Sequence, residues 1–191
     1  MDSKLQIISG AFRGRKLRLP PNARPTQNRA RIALFNMLES GVVDTGVPIH
    51  VWDAFAGSGA FGLECVSRYA NARVLFTDIA ATSVKTVCDN LATLSVDNRA
   101  TVVQTDAIGV AGKYGADMDL IFVDPPYSDD TLGNAFVGRL AKVAHAGAIV
   151  VWEQEVGHET TPNPDAWTVL KDKTYGRARF LILVKKPLVK I

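Results

Sequence analysis

From residue 50 onward the chain alternates apolar runs with amphipathic stretches. IHVWDAF, ARVLFTD, ATVVQTD, MDLIFVD and GAIVVWE are nearly continuous apolar runs of strand length. Between them lie FGLECVSRYA, TSVKTVCDNLATL, AIGVAGKYG and LGNAFVGRLAKVA, which carry helical spacing. In TSVKTVCDNLATL, Val84, Val87, Leu91 and Leu94 share one face. Strands that are apolar throughout, separated by helices of this length, predict a parallel sheet covered on both faces. After Gly157 the rhythm changes. WTVLKDKTYGRARFLILVKK reads as two strands joined at Tyr175–Gly176, a terminal hairpin. Pro162 and Pro164 mark a loop before it. Ahead of the alternating region, LQIIS and KLRL form a predicted hairpin over 5–19, with Gly10 and Gly14 in its turn. Pro20, Pro21 and Pro25 then break regular structure, and a helix is expected to begin near Thr26 as N-cap. That helix carries Ala30, Leu34, Met37 and Leu38 and ends before Gly41. The expected organisation is an N-terminal extension of hairpin and helix over 1–40, followed by an α/β domain over 41–191.

Composition narrows the class. The chain has 191 residues, ample for one core, with 47% hydrophobic and 21% charged residues. No apolar run reaches the length needed to span a bilayer, and the N-terminus carries no apolar block with a cleavage site. Cys65 and Cys88 lie in no CxxC or Cys/His cluster, so no disulfide or zinc site is expected. Both are expected to be buried or half-buried free thiols in a reducing cytoplasm. His50, His145 and His158 are scattered, and no catalytic part is expected of them.

Net charge is only +3, but it is segregated. Residues 1–31 hold eight Lys/Arg and one acid; residues 32–170 hold seven and 17; residues 171–191 hold seven and one. An acidic middle between two basic ends suits a polyanionic partner gripped by those ends.

The acids of the middle are placed where chemistry is expected. Four predicted strands end in aspartate: Asp53, Asp78, Asp106 and Asp124. Open parallel sheets bind ligands at the carboxyl ends of their strands, near the point where strand order reverses. Four acids there repel a phosphate-rich ligand and suit one with an ammonium group, a ribose and amino-bearing bases. Asp53 leads into Phe55-Ala56-Gly57-Ser58-Gly59, and Gly57 to Gly62 match GxGxxG. Such glycines permit a tight turn and close approach to a ligand, but do not separate nicotinamide, flavin and S-adenosylmethionine binders. Asp53 does, because a carboxylate here would repel a diphosphate and attract a cationic amino acid end. Asp78, with Ile79 beside it, suits ribose hydroxyls. Asp106, with Ala107, suits an adenine amino group, or alternatively caps the next helix.

Asp124-Pro125-Pro126-Tyr127 follows the strand DLIFV. An exocyclic base amine is a poor nucleophile, because its lone pair is delocalised into the ring. Two acceptors, the Asp124 carboxylate and a carbonyl of the rigid Pro-Pro turn, can hold its two hydrogens and aim the lone pair at a methyl group. The carboxylate also stabilises positive charge developing on nitrogen. Tyr127 offers a flat face for a splayed base. These residues predict direct methyl transfer from S-adenosylmethionine, without metal or covalent intermediate, leaving S-adenosylhomocysteine.

The motifs resemble those of the bacterial 16S ribosomal RNA guanine-N2 methyltransferase family. Ile8-Ser-Gly10-Ala-Phe-Arg-Gly14-Arg15-Lys16-Leu17 matches its I-x-G-x-x-x-G-R-K-L hairpin. Arg24-Pro25-Thr26-Gln-Asn28-Arg29-Ala-Arg31-Ile32-Ala-Leu34-Phe35-Asn36 matches R-P-T-x-D-R-x-R-E-x-L-F-N, with Asn28 for Asp and Ile32 for Glu. The D-x-F-A-G-S-G-A-x-G-L-E-x-x-S-R segment is matched from Asp53 to Arg68, and D-P-P-Y/F at 124–127. The resemblance implies a Rossmann-like, seven-stranded doubly wound sheet with the last strand antiparallel. It implies the N2 amine of a guanine in 16S ribosomal RNA as target, within a 30S subunit or an assembly intermediate. Arg13, Arg15, Lys16, Arg18, Arg24 and Arg29 are the expected phosphate contacts, which position RNA without reading its sequence. The target base must be turned outward to reach Asp124. A monomeric, cytoplasmic enzyme is expected. The rival readings are methylation of adenine N6 or a protein glutamine amide, a non-catalytic RNA-binding assembly factor, and a nicotinamide oxidoreductase.

Overall fold

The computed structural model describes residues 5–21, 28–126 and 129–187. The expected hairpin is present in outline only. Gln6 and Lys16 form one antiparallel bridge, flanked by Ile7 N–H to the Arg15 carbonyl and Leu17 N–H to the Leu5 carbonyl, both 2.9 Å. The segment between them turns away to meet the next domain element, so no longer ladder forms. Helix α1 spans Asn28–Glu39 and buries Ala30, Arg31, Leu34, Phe35 and Leu38. The N-cap expected at Thr26 lies outside the described residues.

The main body is β1 (Ile49–Asp53), α2 (Ala60–Arg68), β2 (Ala72–Asp78), α3 (Ala81–Leu94), β3 (Ala100–Gln104), α4 (Ala107–Tyr114), β4 (Leu120–Val123), α5 (Asp130–Val143), β5 (Ile149–Glu155), β6 (Trp167–Tyr175) and β7 (Ala178–Lys185). The seven strands form one sheet in the order β3-β2-β1-β4-β5-β7-β6. Strands β1 to β5 are parallel, and β7 runs antiparallel to both β5 and β6. The fold is therefore the expected doubly wound sheet with its last strand reversed. Strand order turns back between β1 and β4, so the ends of these two strands flank the crevice where such folds bind ligands.

Alternation along each strand divides the core in two. Val51, Phe76, Phe122, Val151, Phe180 and Ile182 face one cluster, together with Leu34 and Phe35 of α1, Phe61 and Leu63 of α2, Leu91 of α3, and the hairpin residues Leu5, Ile7 and Leu17. Trp52, Ile121, Val123, Val150, Trp152 and Leu181 face the other, with Ala111 of α4 and Phe136 and Leu140 of α5. Hairpin and α1 thus share a core with the sheet. On α3 the buried face is Ser83, Thr86, Val87, Asn90, Leu91 and Leu94; Val84, expected on it, is half-buried. Asn90 is there because its side chain has work to do: it accepts from the Arg18 N–H at 2.8 Å and donates to the Arg18 and Ser58 carbonyls. Cys65 is buried as expected, but Cys88 is exposed, since it falls one residue after Val87 and so rotates off the packed face of α3.

The hairpin is fastened to α2 by a buried carboxylate. Glu64, fully buried, accepts from the Ile8 and Ser9 N–H groups at 2.8 and 2.9 Å and from Arg68 Nε at 2.7 Å. Arg68 reaches on to Glu39 at the end of α1 (3.0 Å), with its guanidinium 4.6 Å above the Phe35 ring. Arg31 of α1 donates to the Gln6 carbonyl at 2.6 Å and lies 3.6 Å from Glu64. Gly10 crosses α2 so closely, at φ +84, that a Cβ there would stand 2.0 Å from the Ser67 carbonyl oxygen. No helix among the described residues is long and apolar enough to cross a membrane.

Candidate active site

The crevice at the switch point opens into a cleft of about 730 Å³. Its lining brings together most of the residues expected for cofactor and catalysis: Phe55, Gly57, Asp78, Ile79, Asp106, Ala107, Asp124, Pro125 and Pro126. Ala30 of α1 and Tyr175, Arg177 and Ala178 of the β6–β7 hairpin complete the wall. A smaller lobe of about 110 Å³ shares Phe55, Gly57, Asp124 and Glu153 with it and is bordered also by Asp53, Ala56, Ser58 and Arg31.

The glycine turn after β1 divides its labour. Gly57 (φ +54) faces open space, so the backbone is presented to the cleft without side-chain cover. Gly59 (φ +76) starts α2 in the left-handed region that a side chain disfavours. Gly62 lets α2 lie against β2, where a Cβ would meet the Phe76 ring at 2.4 Å. Asp78 stiffens this turn. One carboxylate oxygen accepts from the Gly57 N–H at 2.9 Å and the other from the Ala80 N–H at 2.8 Å, while the group stays half-buried on the cleft wall. Each oxygen keeps a further lone pair for a ligand hydroxyl. Asp106 caps α4, its oxygens accepting from Ile108 and Gly109 N–H at 3.1 Å each. It also borders the cleft, so the capping role and a ligand contact coexist in one side chain.

Asp53 is almost wholly buried, 1% exposed. Oδ2 accepts from the Gly62 N–H at 3.0 Å, and Oδ1 has no hydrogen-bond partner among the described residues. Burial pushes its pKa up to about 7; the Gly62 N–H opposes this and the Asp78 charge adds to it. Across the same lobe, Arg31 is 3% exposed, and its Nε and Nη1 also lack partners. Its own burial holds the guanidinium below its usual range, with Glu64 opposing. An orphaned acceptor and orphaned donors on one small lobe fit the ammonium and carboxylate of an amino acid zwitterion. The residues present therefore fit S-adenosylmethionine, whose other end is an adenosine for the Asp78 and Asp106 side of the cleft.

Asp124 follows β4 directly and is half-buried at the cleft floor. Burial, then the charges of Glu153 and Asp53, push its carboxyl well above the usual carboxylate range. Pro125 and Pro126 sit beside it on the wall, Pro125 buried and Pro126 exposed. Tyr127 lies outside the described residues. So does Arg24; Arg13, Arg15, Lys16 and Arg29 are exposed, and Arg18 is exposed but 3.2 Å from Asp89. Asn28 and Ile32, the two departures noted in the motif, lie on α1, with Ile32 exposed. His50 and His145 both approach Asp119 (4.0 and 3.4 Å) before β4, at the end of the sheet away from the cleft. His158 borders a small cavity of about 30 Å³ next to Pro125, Pro126 and Glu153. No group of three His, Cys, Asp or Glu able to hold a metal occurs among the described residues.

Four site residues escape sequence reasoning: Arg31, Glu153, Tyr175 and Arg177. Glu153 carried a signal, since GAIVVWE ends in an acid like the other four runs, and Arg31 stands in the motif that begins at Arg24, where no role marks it out.

Comparison with known proteins agrees with this architecture. The family described as conserved hypothetical protein 95 matches residues 5–184. Ribosomal RNA small subunit methyltransferase D of Escherichia coli is 36% identical over 184 residues, covering 93% of this chain and 88% of that one. Its Haemophilus influenzae counterpart is 30% identical over 180 residues, covering 91% and 90%. Among solved structures, the Escherichia coli chain yhhF, described as a candidate methyltransferase, superposes with a TM-score of 0.83 at 31% identity, covering 96% of this chain and 99% of that one. An RNA methyltransferase from Salinibacter ruber in complex with S-adenosyl-L-homocysteine shares the fold at TM-score 0.63 and 15% identity, covering 87% and 97%. The chain thus has a Rossmann-like methyltransferase fold and belongs to the conserved hypothetical protein 95 family, as a relative of the ribosomal RNA small subunit methyltransferase D proteins.

Proposed function

We propose that this protein is an S-adenosylmethionine-dependent methyltransferase acting on the exocyclic N2 amine of a guanine in 16S ribosomal RNA. The observation that carries the reading is the Asp124–Pro125 corner opening onto the same cleft as Gly57, Asp78 and the Asp53 lobe. The names of the curated relatives support ribosomal RNA of the small subunit as substrate.

Asp53 and Arg31 would hold the ammonium and carboxylate of the donor, Asp78 its ribose and Asp106 its adenine amine, with Phe55, Ala56, Ser58, Gly59, Ile79 and Ala107 shaping the pocket. The donor, when bound, supplies an electrophilic methyl group on a sulfonium. Asp124 accepts one hydrogen of the target amine and a Pro125 carbonyl accepts the other, so that the lone pair points at the methyl position. Asp124 then stabilises the positive charge that builds on nitrogen. It need not be a strong base, because the amine proton becomes acidic once the nitrogen is methylated. Tyr127 stacks on the base. The basic residues of the 1–40 extension, Arg13, Arg15, Lys16, Arg18, Arg24 and Arg29, grip phosphates of a 30S subunit or an assembly intermediate, and the protein works as a cytoplasmic monomer without a metal.

Small subunits from cells lacking this protein, incubated with labelled donor, test the reading. Digestion of the RNA should yield labelled N2-methylguanosine, and Asp124→Ala should cut turnover by about 100-fold or more. Label in N6-methyladenosine or in ribosomal protein would refute the target, and near wild-type turnover of Asp124→Ala would refute the mechanism.

A further inference from the structure

Five apolar runs end in an acid, and the fifth acid, Glu153, has no part in the chemistry derived so far. The register of the sheet shows where it goes. Phe122 of β4 pairs with Val151 of β5, and both face the core cluster shared with α1 and α2. Glu153 lies two residues further along β5, and Asp124 is the first residue after β4, whose Val123 pairs with Trp152; both line the large cleft and the Asp53 lobe. Neighbouring strands lie about 4.8 Å from each other, and the two carboxyl groups share the same cavity walls closely enough for the Glu153 charge to act on Asp124. Glu153 is 4% exposed. It nevertheless borders the large cleft, the Asp53 lobe and the small cavity beside Pro125 and Pro126. A buried carboxylate at the meeting of three cavities, directly beside the group that orients the amine, is placed to touch what that group touches.

The chemistry of the bases then discriminates among ligands. Guanine displays N1–H immediately beside its N2 amine, so two neighbouring donors face outward from one edge. Adenine and 2-aminopurine display an amine beside a bare ring nitrogen, an acceptor. Two adjacent carboxylates match the first pattern and confront the lone pair of the second. Resting on the amino-methyltransferase reading above, we propose that Glu153 is the specificity-determining residue for guanine: it accepts the N1–H while Asp124 accepts a hydrogen of the N2 amine. A site built to bond a substrate N–H rejects an analogue lacking it by orders of magnitude, because the acceptor placed for that hydrogen then meets the lone pair of a bare ring nitrogen.

The test uses 2-aminopurine, which keeps the amine at the same ring position and lacks N1–H. The methyl-accepting nucleotide, once mapped by nucleoside analysis, is replaced with 2-aminopurine in ribosomal RNA ligated from synthetic fragments and reassembled into subunits. Wild-type protein should prefer guanosine over 2-aminopurine by about 100-fold or more in kcat/KM. In Glu153→Gln the side-chain amide can turn its NH2 toward a bare N1, so the preference should fall below about tenfold, 2-aminopurine improving in absolute rate. The ratio compares two substrates on one protein, so a general loss of activity or stability in the variant does not move it. A wild-type preference under about fivefold, or a ratio unchanged by Glu153→Gln, overturns the assignment. A wild-type preference for 2-aminopurine overturns it too, because Glu153 would then be donating a proton. Failure to methylate any guanosine defeats the enzymatic reading itself and is recognised separately by the unmodified-subunit control.

Discussion

Asp53 offers a perturbation whose consequence can be worked out in advance. Its carboxyl is buried, half-satisfied and held near pKa 7, against 3.8 for an ordinary aspartate. Between these two values the folded protein keeps a proton that the unfolded chain releases, so stability must fall as pH rises through that window. Each pH unit with the proton held corresponds to about 1.4 kcal/mol, so going from pH 5 to pH 8 removes roughly 2–3 kcal/mol through this one group. Asp53→Asn abolishes the titration. The amide oxygen can still accept the Gly62 N–H, and the amide NH2 then faces the 110 Å³ lobe, which has room for water. The variant, free of ligand, should therefore melt above wild type at pH 8 and should not at pH 5. With roughly 2–4 °C per kcal/mol for a chain of this size, the gap between the two pH values is about 5–12 °C. The same variant should bind S-adenosylmethionine at least tenfold more weakly at pH 8, because the ammonium partner is gone. Calorimetric melting of both proteins from pH 5 to pH 8 checks the first claim, and titration with the donor checks the second. Parallel pH profiles for the two proteins would refute the account of Asp53, whatever the binding result.

Two further outcomes follow from the same structure. If Asp53 holds the donor's ammonium as proposed, binding requires its ionised form, so affinity should rise by up to about tenfold per pH unit below pH 7 and level off above it, with proton release visible as a buffer-dependent heat of binding; a flat profile would sink this. Gly10→Ala places a methyl 2.0 Å from a backbone carbonyl at φ +84, which at about 2–5 kcal/mol should undock the hairpin while the sheet stays folded. Loss of hydrogen-exchange protection at Ile7, Gly14 and Leu17, with β1 and β4 unchanged, is the expected signature.

The sheet was legible because its strands are apolar on both faces and its helices are amphipathic, and neither signal depends on distant partners. The acids at 53, 78 and 124 were legible for a related reason: an acid that terminates an apolar run has few places to go except the strand's carboxyl end. Elements whose role depends on a distant partner were not legible. Arg31 reads as one more cation of a basic N-terminus, yet Glu64, more than thirty residues on, draws it inside. Tyr175 and Arg177 reach the cleft only because β7 inserts between β5 and β6, and nothing local to the terminal hairpin announces that insertion. Arg177 is anchored there by Glu155 across the β5–β7 pair. The hairpin over 5–19 was expected as two strands, but Glu64 and Ser67 of α2 take up the N–H groups of Ile8, Ser9 and Phe12, which a longer ladder would have used.

Three carboxyl groups, Asp53, Asp124 and Glu153, crowd one face of the sheet where β1, β4 and β5 end. Burial is the chief reason Asp53 and Asp124 are both pushed upward; the Asp78 charge adds to it at Asp53, and the Glu153 and Asp53 charges add to it at Asp124. Such a cluster is unfavourable for a protein that is merely folded. It becomes favourable when the pocket receives a ligand carrying positive charge, because every carboxyl that ionises then gains a partner. A donor with both an ammonium and a sulfonium meets that need, and a diphosphate-bearing dinucleotide aggravates it. The acids therefore discriminate at two levels. On the proposed reading, their sum selects a cationic donor over an anionic one. On the same reading, their individual placement, with Asp53 on the small lobe alone and Asp124 and Glu153 on both the lobe and the large cleft, decides which atoms of donor and acceptor are brought face to face.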